Sequence, residues 1–518
     1  WGKIYAVHLK PDGSTYTGKK ETFITGSPLP VTDAIIHPED GSMYFAIGGR
    51  KVQSGLYRVS YVGKEKSDPV SVKPQVNEHA SLRHKLENLH IGEHPGALNI
   101  AWPHIDHPDR FIRWAALMAI QRLPVEKWAE KALSEKNQGK RAYVLLSLAK
   151  ATGIDPFHRK KSDPPINREM GIKILQSLLE LDFEKLSPSE QLSMVRTYQV
   201  AMVRFGKPSK QTADQIVAQL DAHFPAKTYE MNWLLCETLA FLEAPTVAKK
   251  GISLLQKATT QEEQMEYARS LRNLKTGWTK ELRTQYFNWF LKAANYRGGA
   301  SFTKFIEFIR NDAVASLTKA EKKDLAPLLA KKAEVKSPAE VMAEAMTGRT
   351  FVKNWELEEL SKISSSGLKE RDFKNGRKMF AAGGCFACHR FGNEGGMNGP
   401  DLTGSGGRYS AHDLLEQIIY PSKEINEQFV PTFVTLKNGD AFTGVVVNLN
   451  GDSISLNTDL YNPNQRRNFW RKDVVSMGPS PVSPMPPGLL NMMEENEIMD
   501  LLAYILSGGD TTHSFFSN

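Results

Sequence analysis

The stretch GGCFACHRFGNEGGMNGPDLTG, residues 383–404, holds two of the chain's three cysteines, Cys385 and Cys388, followed at once by His389. Three chemistries use such a motif. A redox dithiol places C-x-x-C after a strand and at the start of a helix, where the helix dipole stabilises the thiolate. Here a helical pattern, KNGRKMFAAGG, precedes the cysteines and a glycine-rich loop follows them, so that arrangement is missing. A structural zinc ion needs four ligands, usually from a second C-x-x-C or a histidine pair. The remaining thiol, Cys236, lies in an apolar helical stretch, NWLLCETLAFL, and reads as an inert core residue. The third chemistry is covalent haem. Two thiols at this spacing form thioethers to the two vinyl groups, and the adjacent histidine reaches the iron from the same segment. The motif and its surroundings favour this third reading.

A sixth iron ligand has to come from elsewhere in the chain. The candidates are Met397, Met477, Met485, Met492, Met493 and Met499. Met397 follows His389 too closely to reach the opposite face, and Met499 falls in the last helical pattern and reads as core. Met485 stands in SPMPPGLL, an irregular proline-rich loop from which a thioether can approach an iron. Gap-filling in a core is the alternative for any of them. Arg408, in GGRYS, is a candidate to neutralise a haem propionate, or else an exposed surface arginine.

The elements that position these residues form three textures. Residues 1–63 read as four strands of one sheet, KIYAVHL, DAIIH, SMYFAIG and GLYRVSYVG, separated by turn signals such as Pro11-Asp12-Gly13 and Gly48-Gly49. This is the size of one β-propeller blade, and a lone sheet needs a partner to cover it. Residues 64–80 read as a polar linker. From 81 to 365 apolar residues recur at helical spacing in many short segments, such as RFIRWAALMAIQRL and EQLSMVRTYQVAMVRFG. Capping boxes at Ser187/Glu190, Thr260/Glu263, Thr318/Glu321 and Ser337/Glu340 mark helix starts, with Pro188 and Pro338 at the first helical position. Stacked helix pairs of the α-solenoid type are the expectation. No catalytic constellation stands out there; His104 and His107 flank Asp106 in WPHIDHPDR, where a polar helix start is the better reading than a metal site. Residues 366–518 are helical again, ending in EENEIMDLLAYILSGG, and are interrupted at about 430–477 by a strand-rich module with tight-turn signals at Asn438-Gly439 and Asn450-Gly451.

Bulk composition narrows the function. A length of 518 residues predicts several domains. No apolar run approaches the ~20 residues of a membrane helix. The net charge of +8 is spread along the chain, which argues against nucleic acid and suits electrostatic steering toward an anionic surface or an acidic protein partner. Three cysteines cannot build a disulfide framework.

The similarity extends beyond the cysteine motif. GRKMFAAGGCFACH, NGPDLTGSGGRYSAHDLLEQIIYPSKEINEQF, LKNGDAFTGVVV, SPMPPGLL and EIMDLLAYILSGG together resemble the haem-binding domain of the Planctomycetes/Verrucomicrobia type, a class I cytochrome c with a small SH3-like β insertion. DRFIRWAALMAI, TQEEQMEYARSLRNLKTGWT and RGGASFTKFIEFIR resemble the HEAT-like region of the same proteins. PLPVTDAIIHPEDGSMYFAIGGR and SGLYRVSYVG resemble the last blade of their sugar-dehydrogenase-like propeller. The resemblance implies that the carbonyl of Pro400, in NGPDL, orients His389, and the likeness of SPMPPGLL to the M-P loop of class I cytochromes c makes Met485 the expected sixth ligand, with Met477 the runner-up. It implies one covalent haem c and transfer of electrons from an upstream or partner dehydrogenase, of sugars or alcohols, to another cytochrome. Haem attachment on the outer face of the bacterial membrane implies a periplasmic or cell-surface place. One blade is too little for a dehydrogenase site, so the other blades would lie in a longer chain or another polypeptide. No substrate oxidation is assigned to these residues. The competing expectations are a haem enzyme or sensor with an open sixth position, and an interaction scaffold in which haem is secondary.

Overall fold

The computed structural model describes residues 2–26, 29–49, 52–65, 77–258, 260–296, 301–333, 338–365, 367–392, 394–396, 398–426, 429–450, 452–459 and 465–516. Among the described residues the fold is mostly helical, with four small sheets, none of them closed.

The N-terminal strands differ from the single sheet expected. Strands β1 (Gly2–Asp12) and β2 (Thr15–Gly26) form a long hairpin, from Gly2 opposite Gly26 to Asp12 opposite Thr15. Gly13 turns it with a φ of +55°. Strands β3 (Val31–Ile36), β4 (Met43–Gly49) and β5 (Val52–Val59) form a separate antiparallel sheet. The extra strand is TYTGKKETFITG, whose threonines and aromatics favour extended backbone without the apolar alternation that flags a strand. Val7, Leu9, Phe23, Ile35, Ile36 and Leu56 remain exposed on these sheets. The hairpin is fixed to the helices by Asp109. One of its carboxylate oxygens accepts from the Phe111 backbone at the start of helix Arg110–Gln121, and the other accepts from Ser14 N at 2.7 Å. WPHIDHPDR is thus a capped helix start. Among the described residues no three His, Cys, Asp or Glu side chains are grouped as a metal site.

From Glu78 to Ala330 short helices follow one another and share one continuous core. Helices two apart in sequence pack together: Gln138–Thr152 on Pro188–Phe205, and Tyr229–Phe241 on Gln261–Leu271. The capping boxes of Ser187 and Thr318 are complete, Pro188 takes the first helical position, and the Thr260 hydroxyl accepts from Glu263 N. Ser337 lies outside the described residues. Cys236 is fully buried, and so is Arg283, whose guanidinium meets Glu321 at 2.9 Å.

A second core gathers the Pro338–Met346, Leu357–Ser364, Phe373–Ala382, Ala411–Ile419 and Glu495–Leu506 helices around Leu360, Phe380, Leu415, Ile498 and Leu502. The pattern of the sequence groups 338–364 with the preceding array, whereas packing joins it to this core. The Phe373–Ala382 and Glu495–Leu506 helices cross in backbone contact, because a Cβ on Gly376 would stand 2.3 Å from the Asp500 carbonyl oxygen. Two-residue strands β6 (Arg390–Phe391) and β7 (Glu394–Gly395) follow the cysteine motif. The insertion is a five-stranded antiparallel sheet of β8 (Thr432–Leu436), β9 (Ala441–Asn450), β10 (Ser453–Asn457), β11 (Arg466–Trp470) and β12 (Val474–Pro479), in the order β11-β10-β9-β8-β12. It has its own small core of Val434, Val446, Ile454, Leu456 and Phe469. Its first and last strands pair, Thr432 opposite Pro479, so the chain enters and leaves the module at one place. Gly439 makes the expected turn at φ +89°; Gly451, in the second, lies outside the described residues.

Candidate cofactor site

The site is built around a one-turn helix, Cys385–Cys388. Asp372 caps the helix before it, and Gly384, at φ +69°, breaks that helix and turns the chain into the motif. A left-handed backbone of this kind favours glycine. The following loop folds back over the turn through backbone bonds of 2.8 Å, Gly396 N to Phe386 O and Gly399 N to Cys388 O. Glycine is needed at 399 for a steric reason. A Cβ there would stand 2.8–3.2 Å from three atoms of the His389 ring.

His389 is oriented by this loop. Its Nδ1 donates to the Pro400 carbonyl at 2.8 Å; the carbonyl accepts only, so the proton sits on Nδ1 and Nε2 carries a free lone pair. Burial pushes its pKa down, which favours the neutral imidazole a metal requires. Both thiols are shifted the other way. Burial pushes Cys385 up to about 12 and also raises Cys388, so neither has the depressed pKa of a redox-active thiolate.

One cavity is lined by Cys385, Cys388, His389, Pro400, Arg408 and Met485 together. Leu402, Leu414, Ile418, Leu489 and Ile505 supply apolar walls; Tyr409, Gln417 and Asn426 add polar groups. Met485 is half-buried and reaches the cavity from an irregular loop, its backbone N–H donating to Ser483 Oγ at 3.1 Å. Arg408 lines the cavity and has an exposed side chain. Met477 does not line the cavity: it lies on β12 opposite Val434 and is 42% exposed. Met493 and Met499 are buried in the core, Met492 is half-buried beyond the cavity wall, and Met397 lies outside the described residues. Cys236 belongs to the other core, far from any role here.

Residues 373–435 match the cytochrome c family model. The C-terminal region therefore carries a cytochrome c domain, which binds haem and serves electron transfer. No curated protein matches the sequence. The residues present fit a haem. The cavity brings both thiols, an imidazole with a bare Nε2 and a thioether to one apolar space, and the clearance at Gly399 fixes the imidazole's plane. Sequence reasoning missed Gly399 as a packing residue, since a glycine in a glycine-rich loop carries no signal of what its Cβ would meet. The apolar walls gave no signal either, because they come from four separate segments. Among the described residues no helix is long and apolar enough to cross a membrane.

Proposed function

We propose that the chain is a c-type cytochrome in which Cys385 and Cys388 would hold one haem covalently and His389 Nε2 and Met485 Sδ would bind its iron. The observation that carries this reading is the shared cavity of all four side chains. The haem, when bound, takes up and releases one electron. The chain's own residues do the rest: Pro400 keeps His389 in the right tautomer, the apolar walls exclude water, and a methionine ligand raises the potential. Arg408 is read as the partner of a propionate at the cavity mouth. The electron donor is a dehydrogenase of sugars or alcohols and the acceptor another cytochrome, both outside the cytoplasmic membrane where haem is attached. The helical array is read as a HEAT-like scaffold, and the N-terminal sheets as the end of a sugar-dehydrogenase-like propeller. Support for these finer readings is the resemblance in sequence.

The test is a thiol count on the denatured, coloured protein. One titratable thiol per chain, that of Cys236, is the expected result, against three in haem-free protein. Three thiols in the coloured form would remove the covalent reading. A reduced spectrum that shifts fully with carbon monoxide at neutral pH would replace the His/Met reading with an open-site sensor or enzyme.

A further inference from the structure

Segment 338–364 precedes the part of the chain that matches the cytochrome family, yet it touches the Cys385–Cys388 turn at the cavity and the rear of the loop that carries Met485, beyond the cavity wall. Its Pro338–Met346 helix packs on the Phe373–Ala382 helix and on the Cys385–Cys388 turn. The sulfur of Met342 stands 3.0 Å from where a Cβ on Gly384 would be. The chain then crosses to the loop that carries Met485. Three consecutive carbonyls at the rear of that loop accept from it. Asn491 O takes Val352 N at 2.8 Å, Met492 O takes Arg349 Nη1 at 3.1 Å, and Met493 O takes Trp355 Nε1 at 3.1 Å. Arg349 also forks onto Glu497 at 2.9 and 2.8 Å, and Glu497 in turn caps the final helix by accepting from Glu494 N. Asn491 Nδ2 donates to Asn354 at 2.7 Å.

An irregular loop has no ladder of its own to satisfy its carbonyls, so these donors decide where its backbone sits. The front of the loop is held separately, by Ser480 N on the Pro431 carbonyl and Ser483 N on Ser422 Oγ. A loop pinned at both ends has lost its conformational freedom before any ligand bond forms, which strengthens that bond. We infer that residues 349–355 form a strap that positions Met485, with Arg349 and Trp355 as its positioning residues. The inference rests on Met485 being the axial ligand proposed above.

The test uses the full, haem-loaded chain and three readouts: the long-wavelength sulfur-to-iron absorption band, the midpoint potential, and the affinity of the oxidised protein for imidazole. Arg349→Met should weaken the band, lower the potential and raise imidazole affinity roughly tenfold, the size of one charge-assisted hydrogen bond. Trp355→Phe keeps the ring and deletes one N–H, so a smaller change in the same direction is expected. Arg349→Lys, which retains a donor, should recover part of the band. Native values of all three readouts in both Arg349→Met and Trp355→Phe overturn the strap; if Arg349→Met fails to fold, Trp355→Phe decides alone. Met485→Ala separates the two levels. If it opens the iron while the strap variants do nothing, only the strap falls. If it leaves the spectrum unchanged, the ligand assignment falls and the strap with it.

Discussion

Cys236 and Cys385 are the same residue in the same electrostatic condition, and only one of them stands where chemistry can happen. Burial pushes both thiols up to about 12. Around Cys236 the helical array closes completely, with Leu235, Leu239, Tyr267 and Leu271 buried beside it. Around Cys385 the C-terminal core leaves a cavity, and a second thiol, an imidazole and a thioether line it. Burial and a shifted pKa therefore do not mark a site; convergence of donors on a shared space does.

Four experiments press on that contrast. The largest effect is expected from Cys385→Ser with Cys388→Ser, which should abolish haem that survives denaturation, whereas Cys236→Ala should leave it complete; a stained denaturing gel reads the difference. Alkaline titration comes next. A thiol with a raised folded pKa contributes stability that is fully present below its unfolded value of 9.0 and is lost as pH rises toward about 12. In haem-free protein Cys236, Cys385 and Cys388, all raised, should contribute to this loss, and in the haem-bearing form only Cys236, so denaturant midpoints should fall more steeply with pH in the former. Third, Arg283→Met should cost about 3 kcal/mol of unfolding free energy, because Glu321 loses its buried partner. The visible spectrum of the folded variant should stay unchanged, since Arg283 lies in the array. Smallest, Cys236→Ala should cost about 1 kcal/mol for the small void it leaves, with no change of colour.

The sequence carried the chemistry of the site more clearly than its walls. Cys385, Cys388 and His389 were legible because their spacing is local, and the helix starts were legible because caps act within one turn, as at Ser187 and Thr318. Strand β2 escaped notice because its residues are mostly polar, and a one-sheet reading of residues 1–63 followed from that gap. The pairing of Arg349 with Glu497 spans 148 positions, and no local pattern reports a contact at that separation. The contact between Gly399 and the His389 ring was equally hidden, being a property of an atom that glycine lacks.

The pairing of Thr432 with Pro479 has a consequence for how the haem-binding fold tolerates its passenger. The two axial candidates, His389 and Met485, are far apart along the chain, and a floppy connection of that length would charge the closed site a large loop entropy. The β module takes about half of that length out of the loop, a saving of about 0.6 kcal/mol, because it folds on its own small core and returns the chain to its point of departure. To the rest of the domain it counts as a short turn. It is thus a cassette: the distance between the two ligand segments does not depend on what it carries.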